Sequence, residues 1–475
     1  MRRYIEQFKN MSPVAKTSLV LIIAKFLQKG LAFISNPIFT RIMPSSEYGV
    51  ISTFSSWQTI VYIILTLNMA SGVFNNGMLE FKDDRDGFTF SILTLANSIT
   101  VFFVGVYFLF KGWLQPFFDM PDILMLLLLL YCFFSPAYDY WLGRNRFEYK
   151  YKSIFIVTAL TSILSTVAAI LLVLVSPDDQ KAIAKVSATE GVAILTGVAF
   201  YIYMMIKGRK RFQFKYWKYA LAINLPLIPH YLSMYILSSS DRIMITKLVN
   251  TSATAIYNVA YSVAAVVLIF WNAVDAAYAP WIYQKMEVKD YKALQRRAQE
   301  VILLFAGCAI FVTLFAPEII RILGPEEYYE GVYIIPPVVA GVFFTAIFSL
   351  YMRVELYLKK STTIMAATVG AALANLILNY IFIKSVGYWA AAYTTMVCYM
   401  LLAVFHAFNL KRLGYGDVYN NKMNALISVI VCVVIISLSV LYQHDIIRYA
   451  LIAVMLILAV IYRKKLIGLV KKQKN

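Results

Sequence analysis

The chain is built of fourteen long apolar segments, and its basic residues fall mainly in every second connection between them. Each segment has roughly 20 residues, the length that an α-helix needs to cross the hydrocarbon core of a bilayer. Connections on one side hold 32 of the 44 lysines and arginines, whereas those on the other side hold 8. Because positive residues stay on the cytoplasmic side, this asymmetry predicts fourteen spans with both termini in the cytoplasm.

The composition agrees with an all-α integral membrane protein, since 61% of the residues are hydrophobic and only 15% are charged. The net charge of +19 is spread over the loops between spans, so we expect anionic lipid headgroups as partners and no nucleic acid. The predicted spans are residues 17–42, 48–74, 88–110, 121–142, 152–175, 182–206, 219–247, 253–280, 298–317, 331–357, 362–383, 388–410, 423–441 and 446–462.

The most basic internal connection, residues 207–218, divides the chain near its middle. A repeat supports this division, because the Thr40–Gly49 region resembles Thr246–Tyr257 about 206 residues later. With six spans in each half, both halves enter the membrane in the same orientation, as parallel repeats of transporters do. The sequence therefore predicts four parts: an N-terminal lobe at 1–206, a basic cytoplasmic linker at 207–218, a C-terminal lobe at 219–410, and two additional spans with a basic tail at 411–475.

Two lysines lie within the first span, where a charge is costly unless it faces a cavity or a partner. Lys25 and Lys29 are four residues apart, which puts them on one face of a helix. Facing a wet cavity, two ammonium groups attract an anion. The alternative is an ion pair with an acid on another span, such as Glu190.

Two arginines lie within spans of the second half. Arg242, in span seven, is a candidate anion-binding residue, because a guanidinium presents a planar fork of donors that suits phosphate. It follows Asp241 directly, so a local structural pair is an equal alternative. Arg353, near the cytoplasmic end of span ten, is either a fourth cation of the site or a side chain that reaches the inner headgroups.

Few acids lie within spans, and each is a candidate for taking up a coupling proton or sodium ion or for pairing with a cation. No cofactor is expected, and the isolated histidines and mid-span cysteines predict no metal site. Nucleotide-binding and hydrolase motifs are not seen either, so we expect transport and not catalysis. The acidic candidates are Asp139, Glu190, Asp241, Asp275 and Glu355.

Several short motifs accompany this architecture. Arg41 precedes Ser46–Gly49 after the first span, Gly72–Met78 closes the second, and Lys82–Asp86 and Asp241–Arg242 follow. With these motifs and fourteen spans, the whole chain resembles the polysaccharide-transporter branch of the MATE-like (MOP) exporter superfamily, which includes the flippases of bacterial O-antigen and capsule repeat units. The resemblance implies two pseudo-symmetric six-helix lobes in a V, with two C-terminal helices alongside.

The resemblance also implies a substrate, an oligosaccharide linked through diphosphate to undecaprenol, moved from the inner to the outer leaflet of the bacterial plasma membrane. Its cationic cavity would be lined by Lys25, Lys29 and Arg242. A polysaccharide polymerase complex is an expected partner. Two alternatives stay open within the superfamily: a flippase for the peptidoglycan lipid precursor, and a drug or cation antiporter, which would favour acidic over basic residues in its cavity.

Overall fold

The computed structural model describes residues 13–208 and 211–461, and these residues form helices joined by short turns. The helices are α1 (Pro13–Ile42), α2 (Ser45–Thr66), α3 (Val73–Glu80), α4 (Arg85–Leu109), α5 (Lys111–Phe118), α6 (Asp122–Phe147), α7 (Tyr151–Val175), α8 (Lys181–Gly208), α9 (Phe214–Asn224), α10 (Ile228–Leu248), α11 (Thr251–Glu287), α12 (Tyr291–Leu314), α13 (Ala316–Leu323), α14 (Ile335–Tyr357), α15 (Ser361–Val386), α16 (Ala390–Arg412), α17 (Asn421–Ser437) and α18 (Asp445–Ile461).

Thirteen helical stretches in the described part of the chain are long and apolar enough to cross a membrane. They correspond to the first thirteen predicted spans, and the predicted all-α membrane fold is confirmed. The fourteenth predicted span, 446–462, corresponds to α18, which has 17 residues and reaches the end of the described range.

Polar side chains cap the N-termini of several of these helices. The carboxylate of Asp84 accepts a hydrogen bond from the Gly87 amide at 3.1 Å and caps α4. Asn250, Asp290 and Asn420 cap α11, α12 and α17 in the same way. Such caps satisfy backbone donors that the first turn of a helix leaves without partners. They locate the starts of these helices more sharply than hydropathy does.

The seventh predicted span is not one continuous helix. It consists of α9, a 3₁₀ turn at Leu225–Leu227 and α10, since Pro226 supplies no amide hydrogen to the helix ladder. The buried Asn224 side chain lies at the break, accepting from the Val73 amide at 3.1 Å and donating to the Leu67 carbonyl at 2.6 Å. These two hydrogen bonds connect the first part of span seven to the turn that follows α2.

The chain divides into two compact units, residues 1–235 and 236–475. In the first unit α6 and α7 pack against α8, and α1 packs against α7. In the second unit α14 packs against α11 and α16, and α15 packs against α16. The division falls within α10. The four parts proposed from the sequence, with a linker at 207–218, stay a prediction.

Candidate functional site

The most extensively bonded acid among the predicted candidates is Asp241 on α10, which is fully buried. Its carboxylate accepts hydrogen bonds from the Tyr257 hydroxyl at 2.6 Å, the Asn379 amide nitrogen at 2.8 Å and the Thr395 hydroxyl at 3.1 Å. All three donors are neutral. A carboxylate held only by neutral donors in an apolar region keeps the capacity to bind a proton or a cation.

Further polar groups on α15 and α16 extend this cluster. Asn375 and Asn379 are one helical turn apart on α15, and the Asn379 amide donates to the Asn375 oxygen at 3.2 Å. Thr394 donates to the Asn379 oxygen, and Asn375 donates to Thr395 at 3.0 Å. Carboxylate, amide and hydroxyl oxygens are ligands for hard cations. We call Asp241, Tyr257, Asn375, Asn379, Thr394 and Thr395 the Asp241 cluster.

Arg242 follows Asp241 but has a different set of partners. Its Nε donates to the Asn258 side-chain oxygen at 2.8 Å, its Nη1 donates to the Ser238 carbonyl at 2.8 Å, and the guanidinium lies 4.3 Å from the Tyr261 ring centre. Within the described residues, Arg242 forms no ion pair with a carboxylate. Its positive charge therefore stays available to an anion.

Arg353 is in the opposite situation, because Asp275 on α11 neutralises it. The Arg353 Nε donates to one Asp275 carboxylate oxygen at 3.1 Å, and Nη2 pairs with the other, so the contact is bidentate. Both side chains are largely shielded from solvent. This geometry gives Arg353 and Asp275 the arrangement of a structural ion pair.

Glu355, two residues from Arg353, belongs to another buried group. It accepts from the Asn409 amide at 2.8 Å and contacts the His406 Nδ1 at 2.8 Å, and both His406 and Glu355 are fully buried. The His406 Nε2 has no hydrogen-bond partner among the described residues. This group joins the C-terminal ends of α14 and α16.

The two predicted acids of the first unit both bond to α2. Gln58 donates to the Glu190 carboxylate at 2.7 Å, and Tyr62, one turn further along α2, donates to Asp139. Glu190 forms no ion pair with Lys29, the lysine of the first span whose side chain is described. Like Asp241, both acids are held by neutral donors.

The lysines of the first span lie on α1. Lys29 is exposed and makes no hydrogen bond or ion pair with the described residues. The Lys25 side chain lies outside the described part of the structure. The joint role of Lys25, Lys29 and Arg242 in one cationic site stays a prediction.

Sequence reasoning missed Lys185, which is one of the eight basic residues on the side with fewer positive charges. It lies on α8 with its ammonium 3.8 Å from the Phe39 ring centre and 4.8 Å from that of Tyr48. Asn375 and Asn379 were missed as well, although two amides four residues apart in an apolar segment are a readable signal.

Two comparisons by sequence identify the family. Residues 14–286 match the family described as "Polysaccharide biosynthesis protein", which covers more than half of the chain. The chain belongs to this polysaccharide biosynthesis family. Residues 226–381 also match the MatE family. No match was found among curated proteins.

Several solved structures share the fold of this chain. "Lipid II flippase MurJ, inward closed conformation" matches with a TM-score of 0.66 and 14% identity over 95% of this chain and 99% of that one. An inward-facing multidrug resistance MATE transporter of the MOP superfamily matches with a TM-score of 0.60 and 13% identity over 85% and 98%. A MOP superfamily transporter from Pyrococcus furiosus matches with a TM-score of 0.52 and 15% identity over 87% and 98%.

These findings confirm the resemblance seen in the sequence. The chain is a multi-pass membrane protein of the polysaccharide biosynthesis family, and it has the fold of the MurJ and MATE transporters.

Proposed function

We propose that the protein is a flippase for an oligosaccharide linked through diphosphate to undecaprenol. It would move this lipid from the inner to the outer leaflet of the bacterial plasma membrane, for assembly of a surface polysaccharide. Both termini would lie in the cytoplasm, and a polysaccharide polymerase would receive the product. The protein would act by transport alone, without a cofactor or metal.

The observation that carries the proposal is the Arg242 guanidinium, which has no carboxylate partner among the described residues. An arginine in a membrane span is costly, and its retention without a neutralising acid points to an anionic ligand. The diphosphate of a polyprenyl-linked sugar fits, because a guanidinium binds phosphate oxygens through parallel donors. The exposed Lys29 supplies a second cation in the first half of the chain.

Moving a polar headgroup across the membrane requires polar and charged residues along its route. Sugar hydroxyls and phosphates lose their hydrogen bonds to water in hydrocarbon, which costs several kcal/mol for each unsatisfied group. A polar route through the protein replaces those bonds while the polyprenyl tail stays in lipid. Alternating access would then carry the headgroup across.

The Asp241 cluster supports a coupling role for this acid. We propose that binding of a proton or a sodium ion at Asp241 shifts the equilibrium between the inward-open and outward-open states. Neutral donors and amide oxygens surround the carboxylate, and no arginine of the described residues donates a hydrogen bond to it, so an ion can compensate its charge. Asp139 and Glu190 are second candidates on the same ground.

A flippase for the peptidoglycan lipid precursor is the second candidate function. It is favoured by the shared fold with the lipid II flippase, and its substrate also carries a diphosphate. An antiporter of cationic drugs fits less well, since Lys29 and Arg242 would repel a cationic substrate.

Transport by the purified protein in liposomes tests the proposal. One preparation carries a polyprenyl-diphosphate oligosaccharide and a second carries lipid II, both labelled with a fluorophore, and a membrane-impermeant quencher reports the outer leaflet. We expect faster exchange of the oligosaccharide lipid. Faster exchange of lipid II would favour the second candidate, and exchange of neither would contradict both.

A further inference from the structure

A concave site lies on the second unit, away from the Asp241 cluster. It has a volume of about 290 Å³ and is lined by Arg321, Tyr329, Glu330, Tyr333 and Tyr442 over apolar residues. We call it the tyrosine pocket. Its volume is near the lower limit of pockets that hold small molecules, which run from about 300 to 1,000 Å³.

The tyrosine pocket is built from connections at one end of the helices. Its walls come from the segment between α12 and α14 and from the 3₁₀ turn Leu438–Gln443 after α17, and the α15–α16 turn adjoins it. These connections alternate with the ones that carry most of the basic residues. By the charge rule the pocket therefore belongs to the outer side.

Aromatic rings supply apolar surface to the pocket. The Tyr333 ring lies nearly parallel to that of Trp389, with 6.3 Å between ring centres and 7° between planes. The centre of the Tyr442 ring lies 5.9 Å from that of Tyr333. The Tyr442 hydroxyl donates to the Thr313 carbonyl at 3.1 Å, and this hydrogen bond holds the side chain in place. Tyr329 is 37% exposed. The rings of Tyr333 and Tyr442 are thus held by neighbouring residues, and the ring of Tyr329 is open to a ligand.

Polar groups lie beside these aromatic rings. The Tyr388 hydroxyl donates to one Glu330 carboxylate oxygen at 2.6 Å, which orients the carboxylate and leaves its other oxygen as an acceptor. Arg321 also lines the pocket, and its side chain carries guanidinium donors. One acid and one base give the lining no net charge, so the pocket favours an uncharged ligand with both donors and acceptors.

These features match the chemistry of a sugar ring. A pyranose has apolar C–H faces that pack on aromatic rings, and its rim of hydroxyls both donates and accepts hydrogen bonds. An aromatic belt at the membrane surface accounts for single outward-facing rings. It does not account for a concave arrangement of three tyrosines around an oriented carboxylate and an arginine.

We propose that the tyrosine pocket binds an uncharged sugar residue on the outer side of the membrane. The proposed function supplies a source for this ligand, since a flipped headgroup emerges on that side. A pocket there would hold the oligosaccharide after translocation and slow its return. The sugar binding itself depends only on the pocket.

Binding of free sugars to the purified full-length protein tests the proposal. The probes are disaccharides of hexoses and N-acetylhexosamines, detected by saturation-transfer NMR in a detergent without a sugar headgroup. We expect at least one disaccharide to bind the wild type, and Tyr333→Ala and Glu330→Ala to weaken it by about tenfold. Tyr329→Phe should retain binding, because the ring stays.

Trp113→Ala is the matched control, since Trp113 is 75% exposed and lies at the predicted outer end of the first unit. It should leave binding unchanged. Failure of every disaccharide to bind, or an equal loss in Trp113→Ala, would overturn the proposal. Where Tyr333→Ala does not fold as judged by size exclusion, Tyr329→Ala replaces it, because Tyr329 is at the surface.

Transport separates this inference from the proposed function. A wild type that binds disaccharides but exchanges no polyprenyl-linked oligosaccharide would contradict the flippase proposal and leave the sugar pocket standing. A wild type that transports the lipid-linked oligosaccharide but binds no disaccharide would support the flippase proposal and contradict the sugar pocket.

Discussion

Asp241 and Arg242 are adjacent in sequence but bond to different partners. The Asp241 carboxylate accepts from Tyr257 at 2.6 Å, whereas the Arg242 Nε donates to Asn258 at 2.8 Å. The acid on α10 bonds to α11, α15 and α16, whereas the base bonds to α11 and within α10. Two charges side by side in the chain therefore have the surroundings of two separate sites.

Charge at position 242 should control anion transport. We expect Arg242→Gln to reduce exchange of the oligosaccharide lipid in liposomes by about tenfold, and Arg242→Glu to reduce it further, because repulsion adds to lost attraction. The double swap Asp241→Arg with Arg242→Asp should not restore exchange, since the two residues do not pair. Lys384→Gln, an exposed cation of the same unit, is the control. Rescue by the swap would indicate a structural pair.

Lys29 should be required for transport and not for folding. Lys29→Ala is expected to abolish export of surface polysaccharide with normal protein levels in the membrane, and Lys29→Arg should retain part of it, because an exposed cation without a described partner contributes little to stability. Lys111→Ala, which removes an exposed lysine paired with Asp122, serves as the control. Wild-type export by Lys29→Ala would show that the lysine takes no part.

Neutralising Asp241 should uncouple transport from its ion gradient. Asp241→Asn keeps the size of the side chain and removes the charge that binds a proton or sodium ion, so we expect exchange to stop responding to imposed gradients of either ion. The response is measured in liposomes with controlled internal pH and sodium. Asp179→Asn, an exposed acid in a loop, should respond as the wild type does. A full response in Asp241→Asn would transfer the role to Asp139 or Glu190.

The Arg353–Asp275 ion pair should be structural. Removing one partner leaves the other charge largely shielded from water, so Arg353→Gln should lower stability by about 1 to 3 kcal/mol. The swap Asp275→Arg with Arg353→Asp should recover part of this loss. Thermal unfolding in detergent, followed by size exclusion, measures both. A stable Arg353→Gln with lost transport would instead place Arg353 in the anion site.

Glu318 on α13 should give a stability that depends on pH. Burial acts to raise the pKa of this carboxyl, but hydrogen bonds from Arg448 and Tyr449 outweigh it and hold the pKa below its usual value. A lowered pKa stabilises the fold above the unfolded value of about 4.3, and the contribution is lost as pH falls through the folded value. We therefore expect Glu318→Gln to melt below the wild type at pH 7, with the difference shrinking below about pH 4. A constant difference would mean that the charge does not matter.

Much of the fold was predictable because it rests on local properties of the chain. Hydropathy located thirteen described spans, since twenty apolar residues in a row have few other stable placements. The break in span seven was less accessible. Pro226 is visible in the sequence, but Asn224 could not be assigned to the turn at Leu67 and Val73, because that contact joins residues about 150 positions apart.

The sequence by itself determined the membrane fold, the predicted sidedness and the small set of ionisable residues within spans, because each depends on composition over short windows. Only the tertiary structure decided which of those charges are neutralised. Arg353 meets Asp275 across 78 residues, and Asn379 meets Asp241 across 138. In an apolar interior the energy of a charge depends on the nearest opposite group, so these distant contacts distinguish the Arg353–Asp275 ion pair from Arg242, which has no carboxylate partner among the described residues.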